Sequence, residues 1–142
     1  MAGKVGAGLD AHASELERVA AFRTELRRFV LHTNAVPTRA GLSSQRYDLL
    51  LMIKSAGEVR VTELCDLLQL QQTAVTQLVR RTEEAGLVER RNDVDDGRVS
   101  LLRLTPAGEA VLQQVLAALR GESEGLAEAL HRVDVSLRAV GS

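Results

Sequence analysis

Disulfide chemistry is missing from this chain. It has one cysteine, Cys65, so no internal bridge can form, and a lone thiol fits a reducing compartment. Aromatic residues are scarce: no tryptophan, one tyrosine and two phenylalanines among 142 residues. The core must therefore be built from Leu, Val and Ala, a composition usual in helical proteins because these side chains lose little rotamer freedom in a helix. No apolar run approaches the roughly 20 residues needed to cross a bilayer. Met1 to Asp10 carries one lysine and no hydrophobic segment, so no secretory signal is visible and the expected location is the cytoplasm.

Excess positive charge is missing too. The formal net charge is −1, so the whole-chain balance does not announce a nucleic-acid binder. Phosphate neutralisation is local, however, and clustering of cations on one surface matters more than the sum. Lys4 and Lys54 are the only lysines among 18 basic residues. Arginine's planar fork suits phosphate and guanine, although genome composition explains such a bias as readily. Catalytic signatures are also lacking. His12, His32 and His131 are far apart and show no metal-ligand spacing. Gly3-Lys4-Val5-Gly6-Ala7-Gly8 has no preceding strand to make it a phosphate loop, and no nucleophile motif occurs. The expectation is no enzyme, no cofactor and no metal.

What remains is the composition of a folded protein, 45% hydrophobic and 26% charged. After an irregular Gly/Ala-rich lead, Ser14 and Glu17 read as a capping box opening a long amphipathic helix, ending before Pro37. Leu16, Val19, Phe22, Leu26, Phe29, Val30 and Thr33 form its stripe. A second, buried helix starts after Ser43 and stops near Gly57, with Leu42 and Tyr47 as a hydrophobic staple. Thr62 caps a short helix to Leu68. Gln69-Leu70-Gln71 is a tight connection, and Thr73 to Ala85 is a third helix closed by Gly86. Two short helices joined by three residues are a helix-turn-helix.

After Gly86 the hydrophobic period becomes two. Val88 to Arg91 and Val99 to Leu104 read as strands around a polar turn, Asn92 to Gly97, which makes a wing. Thr105 as N-cap and Pro106 at the first helical position restart a helix expected to run unbroken to about Arg132, with a short helical stretch through Val140. The fold expected is mainly α with a small β-wing. It is one domain over 1–142, with helices over 14–36 and 106–140 flanking a winged helix-turn-helix lobe over 42–105.

On the third helix, Val75, Leu78, Val79, Thr82 and Ala85 fall on one side, at the spacing of a packed face. Gln72, Thr73, Thr76, Gln77, Arg80 and Arg81 occupy the other. Those are types that hydrogen-bond base edges and phosphates. A solvated polar face has the same composition; the position of this one, between a helix-turn-helix turn and a wing, favours DNA.

Gly86-Leu87-Val88-Glu89-Arg90-Arg91, then Asp96-Gly97-Arg98, then Leu104-Thr105-Pro106-Ala107-Gly108 resemble the MarR (multiple antibiotic resistance regulator) family of winged helix-turn-helix regulators. The match runs in register over about 42–112. It implies a ligand-responsive repressor that binds double-stranded DNA as a homodimer through interlocked terminal helices. It further implies recognition helices in successive major grooves and wings in the flanking minor grooves. Carried over by residue, Arg98 is the wing arginine and Asp96 the acid that orients it; Arg90 and Arg91 are secondary candidates for phosphate.

The resemblance also implies a small aromatic or phenolic ligand. His32, Arg39, Arg46 and Tyr47 are within the region that would hold it, and none receives an assignment. The flanking stripes independently favour a dimer, since one chain of this size has difficulty covering both. Cys65, on a packed helix without a basic neighbour, reads as an inert thiol. Three departures stand out: Gln69 where the family often has glycine, Gln71 in place of a Ser or Thr N-cap, and a shorter segment after Arg132. The remaining alternative is a winged-helix module that binds protein instead of DNA.

Overall fold

The computed structural model describes the backbone of residues 2–142 and the side chains of residues 14–142. In chain order its elements are α1 (Ala2–Arg39), α2 (Ser44–Ala56), β1 (Val59–Arg60), α3 (Val61–Leu68), α4 (Gln72–Glu84), β2 (Val88–Asn92), β3 (Ser100–Leu104), α5 (Pro106–Gly121) and α6 (Ser123–Val140). The chain divides into two compact units, residues 1–35 with 120–142, and residues 36–119. Residues 106–119, at the start of the expected C-terminal flank, belong to the second unit.

The second unit holds a continuous aliphatic core. Leu49, Leu50 and Ile53 of α2 are fully buried, as are Leu64, Val75, Val79, Leu102, Leu112 and Val115 from α3, α4, β3 and α5. Ser43 begins α2 as expected: its hydroxyl accepts the Arg46 amide at 3.2 Å. Gly57, at φ 84°, ends the helix and returns its N–H to the Ile53 carbonyl at 2.9 Å. Leu42 and Tyr47 both pack on this core.

Three boundaries in the first half of the chain differ from the sequence reading. The N-terminal helix begins at Ala2, so Ser14 lies inside it, and the Ser14 hydroxyl accepts Arg18 Nη1 at 3.3 Å instead of capping. At its other end the helix runs through Pro37 to Arg39. A proline so near a helix C-terminus removes a single ladder bond, and here both Val36 and Pro37 are buried. Lastly, α3 starts at Val61, with Arg60 as its N-cap and Glu63 Oε1 accepting the Arg60 amide at 3.4 Å.

That third shift follows from a strand which the sequence reading omits. β1 pairs antiparallel with β3 (Val59 opposite Leu102, Arg60 opposite Leu101) and hands an extended Arg60 straight into α3. β3 is the central strand of a sheet ordered β1-β3-β2, with Val88 opposite Leu104 and Asn92 opposite Ser100.

α4 ends in a Schellman motif. Gly86 (φ 76°) donates to Glu83 O at 2.9 Å, and Leu87 donates to Thr82 O at 3.1 Å. This corner locks into the start of α5. Thr105 donates its amide to Leu87 O (3.0 Å) and its hydroxyl to Gly86 O (2.6 Å), and the same hydroxyl accepts the Gly108 amide at 3.1 Å. A β-carbon on Gly108 would lie 2.0 Å from Leu87 O, so only glycine fits. The Gly-Leu and Leu-Thr-x-x-Gly segments are thus two halves of one joint.

The α3–α4 turn contains the strain expected of it. Gln69 adopts φ 55°, ψ 43°, a left-handed conformation uncommon for a residue with a β-carbon. Its Nε2 donates to Asp66 O at 2.7 Å. Relief of the left-handed penalty is worth about 1 kcal/mol, and losing one exposed hydrogen bond costs about 0.5 kcal/mol. Gln69→Gly should therefore raise stability by about 0.5 kcal/mol, measured as a higher urea midpoint at unchanged slope. A lower midpoint would mean that the side-chain bond outweighs the backbone strain.

In the first unit, α1 and α6 meet where helical backbone comes close. A β-carbon on Gly125 would sit 3.3 Å from His32 Nε2, and Arg132 Nε lies 3.6 Å from Glu25 Oε2. The helix expected unbroken from Pro106 to Arg132 is interrupted at Glu122, whose φ of −109° and ψ of 9° leave the helical region. Gly121, a poor helix former, directly precedes that break. Beyond it α6 continues to Val140, well past Arg132.

Candidate nucleic-acid interface

α4 divides cleanly into two faces. Val75, Leu78, Val79 and Thr82 are buried, and the Thr82 hydroxyl is satisfied by Leu78 O at 2.7 Å. Gln72, Thr73, Thr76, Gln77, Arg80 and Arg81 are all exposed. Ala85, placed by periodicity on the packed side, is exposed instead, because it caps the helix after its last turn. Gln71 is the N-cap in extended conformation, and its side chain makes no capping hydrogen bond. The first-turn amides of α4 therefore receive no acceptor from the N-cap side chain, and that end of the helix favours an anion.

Acidic residues at the other end of α4 are engaged within the protein. Glu83 Oε1 accepts Arg90 Nε at 2.7 Å, which ties β2 to α4. Glu84 lies 4.0 Å from Arg80, a solvent-exposed pair of little energy. Arg81 offers its backbone carbonyl to Arg46 Nη2 at 3.4 Å, leaving its own side chain in solvent.

The wing loop between β2 and β3 is shaped by two aspartates. Asp93 Oδ1 accepts the Asp95 amide at 3.0 Å, and Asp96 Oδ1 accepts the Arg98 amide at 3.1 Å. Asp96 thus fixes the loop backbone at Arg98. The loop closes with Asp93 N–H to Val99 O at 2.8 Å and Val99 N–H to Asp96 O at 3.0 Å. Arg98 is exposed, and among the described residues no carboxylate pairs with its guanidinium. With Arg60, Thr62 and Ser100 it lines a depression of about 330 Å³ at the root of the wing.

Arg90 and Arg91 are held by carboxylates: Arg90 by Glu83, and Arg91 by Glu58, whose two oxygens receive Nε at 2.6 Å and Nη2. The hydrogen bond from Arg91 holds the Glu58 carboxyl below the usual carboxylate range and raises the Arg91 guanidinium correspondingly. Sequence reasoning missed Glu58 and Glu83 as partners. Glu58 lies 33 positions from Arg91, and no local pattern joins the two.

Of the residues considered for a small molecule, Tyr47 packs on the core of the second unit and Arg46 reaches Arg81 O; His32 sits against Gly125 in the first unit. Cys65 Sγ points at Val61 O, 3.5 Å away in the same helix. Among the described residues, no helix is long and apolar enough to cross a membrane.

A helix-turn-helix followed by a hairpin and a returning helix defines a winged-helix protein. Residues 40–99 match the model of the MarR family. Among curated proteins, the uncharacterized HTH-type transcriptional regulator YdgJ of Bacillus subtilis (strain 168) is 34% identical over 68 residues, 48% of this chain and 42% of that protein. The HTH-type transcriptional repressor MdtR of the same organism is 29% identical over 79 residues, 56% of this chain and 51% of that protein. The chain spans about half the length of these curated relatives.

Two solved structures share the fold. A mutant MarR from E. coli complexed with operator DNA aligns at TM-score 0.67 and 21% identity, covering 83% of this chain and 89% of that one. NadR in complex with 4-hydroxyphenylacetate aligns at TM-score 0.64 and 21% identity, covering 78% of this chain and 79% of that one.

Proposed function

We propose that the protein is a sequence-specific transcriptional repressor that binds a pseudo-palindromic operator as a homodimer. The observation that carries this reading is the outward Gln/Thr/Arg side of α4 beside a wing arginine that no carboxylate among the described residues holds. Gln72, Thr73, Thr76, Gln77, Arg80 and Arg81 line the major groove, reading base edges and binding phosphate; Arg98 enters the minor groove beside it, on a loop shaped by Asp96. Arg90, tied to Glu83 through Nε, is a secondary phosphate contact. The name of MdtR supports repression, and the operator complex of the mutant MarR supports DNA as the partner.

Dimerisation is supported by exposed apolar residues. Leu16 (65% exposed), Leu31 (71%), Leu130 (54%) and Leu137 (51%), with Val19, Val30 and Val135, all lie on α1 or α6. Covering them by a second copy duplicates α4 and places half-sites about 10 bp apart. By likeness to NadR, a small phenolic or aromatic carboxylate is the proposed inducer.

The test is footprinting on DNA flanking the gene, followed by binding titrations across salt. A two-fold-symmetric footprint and a log–log slope of about −5, at about −0.9 per phosphate, are expected for about six contacts. Absence of duplex binding, or binding insensitive to salt, would transfer the winged helix to a protein-binding role.

A further inference from the structure

Arg91 is exposed enough to be taken for a phosphate contact, yet its surroundings give it a different task. In the sheet, Arg60, Leu101 and Arg91 occupy one row across β1, β3 and β2. Glu58 directly precedes β1, so the Glu58–Arg91 pair passes diagonally over the central strand and joins the two outer ones. A second diagonal runs the same way, from Arg60 Nη2 to Asp93 Oδ2 at 3.7 Å. Both pairs terminate where β2 becomes the wing loop. One residue back along β2, on the alternate side of the strand, Arg90 ties the same strand to α4 through Glu83.

We propose, on the DNA-binding reading above, that Glu58 and Arg91 form a strap over β3 that holds the wing at a fixed attitude to α4, making Arg91 a positioning residue and not a phosphate contact. The Arg91 side chain is 37% and that of Glu58 32% exposed in the pair, so both charges remain beside solvent. Two parallel N–H···O bonds fix the orientation of the planar guanidinium as well as its distance. An arginine held by a bidentate carboxylate must lose that partner before it can bind phosphate. Its strand is meanwhile pinned by Arg90, so the wing loop inherits its direction from both ties. Arg98, with no carboxylate of its own among the described residues, is left as the reader in the wing loop.

The two roles predict opposite signs for Glu58→Gln. A strap that is cut loosens the wing, and affinity for the operator should fall about fivefold at about 0.15 M salt, with the salt slope unchanged. If Arg91 contacts phosphate, the same substitution frees it, so binding tightens and the slope steepens. Arg91→Gln should also weaken binding about fivefold at unchanged slope, and the double variant should be no weaker than either single one. Exchanging the pair, Glu58→Arg with Arg91→Glu, should recover most of the loss.

Hydrogen exchange of the Asp93 and Val99 amides, measured without DNA, keeps the strap separate from the DNA reading. Both amides close the wing loop, and both should exchange about fivefold faster in Glu58→Gln. Should wild type bind no duplex, the functional reading falls while this exchange result still decides the strap. Unchanged exchange, or a slope that drops by about 1 per arginine removed, overturns the proposal.

Discussion

Replacing Gly108 by alanine is expected to destabilise the winged-helix unit by about 3 kcal/mol, near the upper end of overpacking effects. The added β-carbon would lie 2.0 Å from Leu87 O and 3.0 Å from Leu87 C, both backbone atoms, so no side chain can rotate away to make room. Relief requires the start of α5 to retreat from the wing root. That motion breaks the Thr105 amide bond to Leu87 O and the Thr105 hydroxyl bond to Gly86 O. The expected readout is a lower urea midpoint and a melting temperature about 10 °C below wild type, compared at one protein concentration because the proposed dimerisation would contribute. Gly97→Ala is the control: Gly97 has open space around its added carbon and should change stability by less than about 0.5 kcal/mol. Equal midpoints for Gly108→Ala and wild type would show that the joint is not the constraint described.

That joint was legible in the sequence only as a pattern. Gly86-Leu87 and Leu104-Thr105-Pro106-Ala107-Gly108 could be recognised as related to the wing, but the reason for the glycine lies in its contact with Leu87. Local signals were the most readable. Ser43, Gly57, Gly86 and Thr105 occupy the capping positions that their chemistry suggests. Gln69 takes up the left-handed conformation that its place in the turn requires.

Readings failed where tertiary contact overrides a local rule. Pro37 stays within α1, where its burial accompanies that of Val36. β1 has only two residues and exists because β3 offers it an edge, so periodicity could not reveal it. The break at Glu122 was underrated because apolar spacing continues on both sides of it, and spacing carries no information about a single non-helical residue.

The candidate interface follows the same division. The exposed side of α4 could be deduced because it is the complement of the packed side, and the two are set by one helical period. The carboxylates that hold Arg90 and Arg91 could not, since helix and sheet geometry bring them together across the chain. An arginine in a sequence is a potential phosphate ligand. Whether another charge already occupies it is a property of the fold.

Arg98 is in the opposite circumstance, and Arg98→Ala should have the largest effect on binding. The proposed dimer would carry two wings, and each minor-groove contact removed is worth about a factor of ten, so the operator affinity should fall about a hundredfold. The salt slope should decrease by about 1 per wing, because the lost groups are charges that displace counterions. Stability should stay within about 0.5 kcal/mol of wild type, since Arg98 is exposed and its amide bond to Asp96 is independent of the side chain. Arg98→Lys retains charge but not the planar fork, and should recover part of the affinity and all of the slope. Gln77→Ala, by contrast, should relax the choice of base at particular operator positions while leaving the slope intact. An Arg98→Ala protein that binds within about twofold of wild type would place the wing outside the contact, and recognition would then rest on α4 alone.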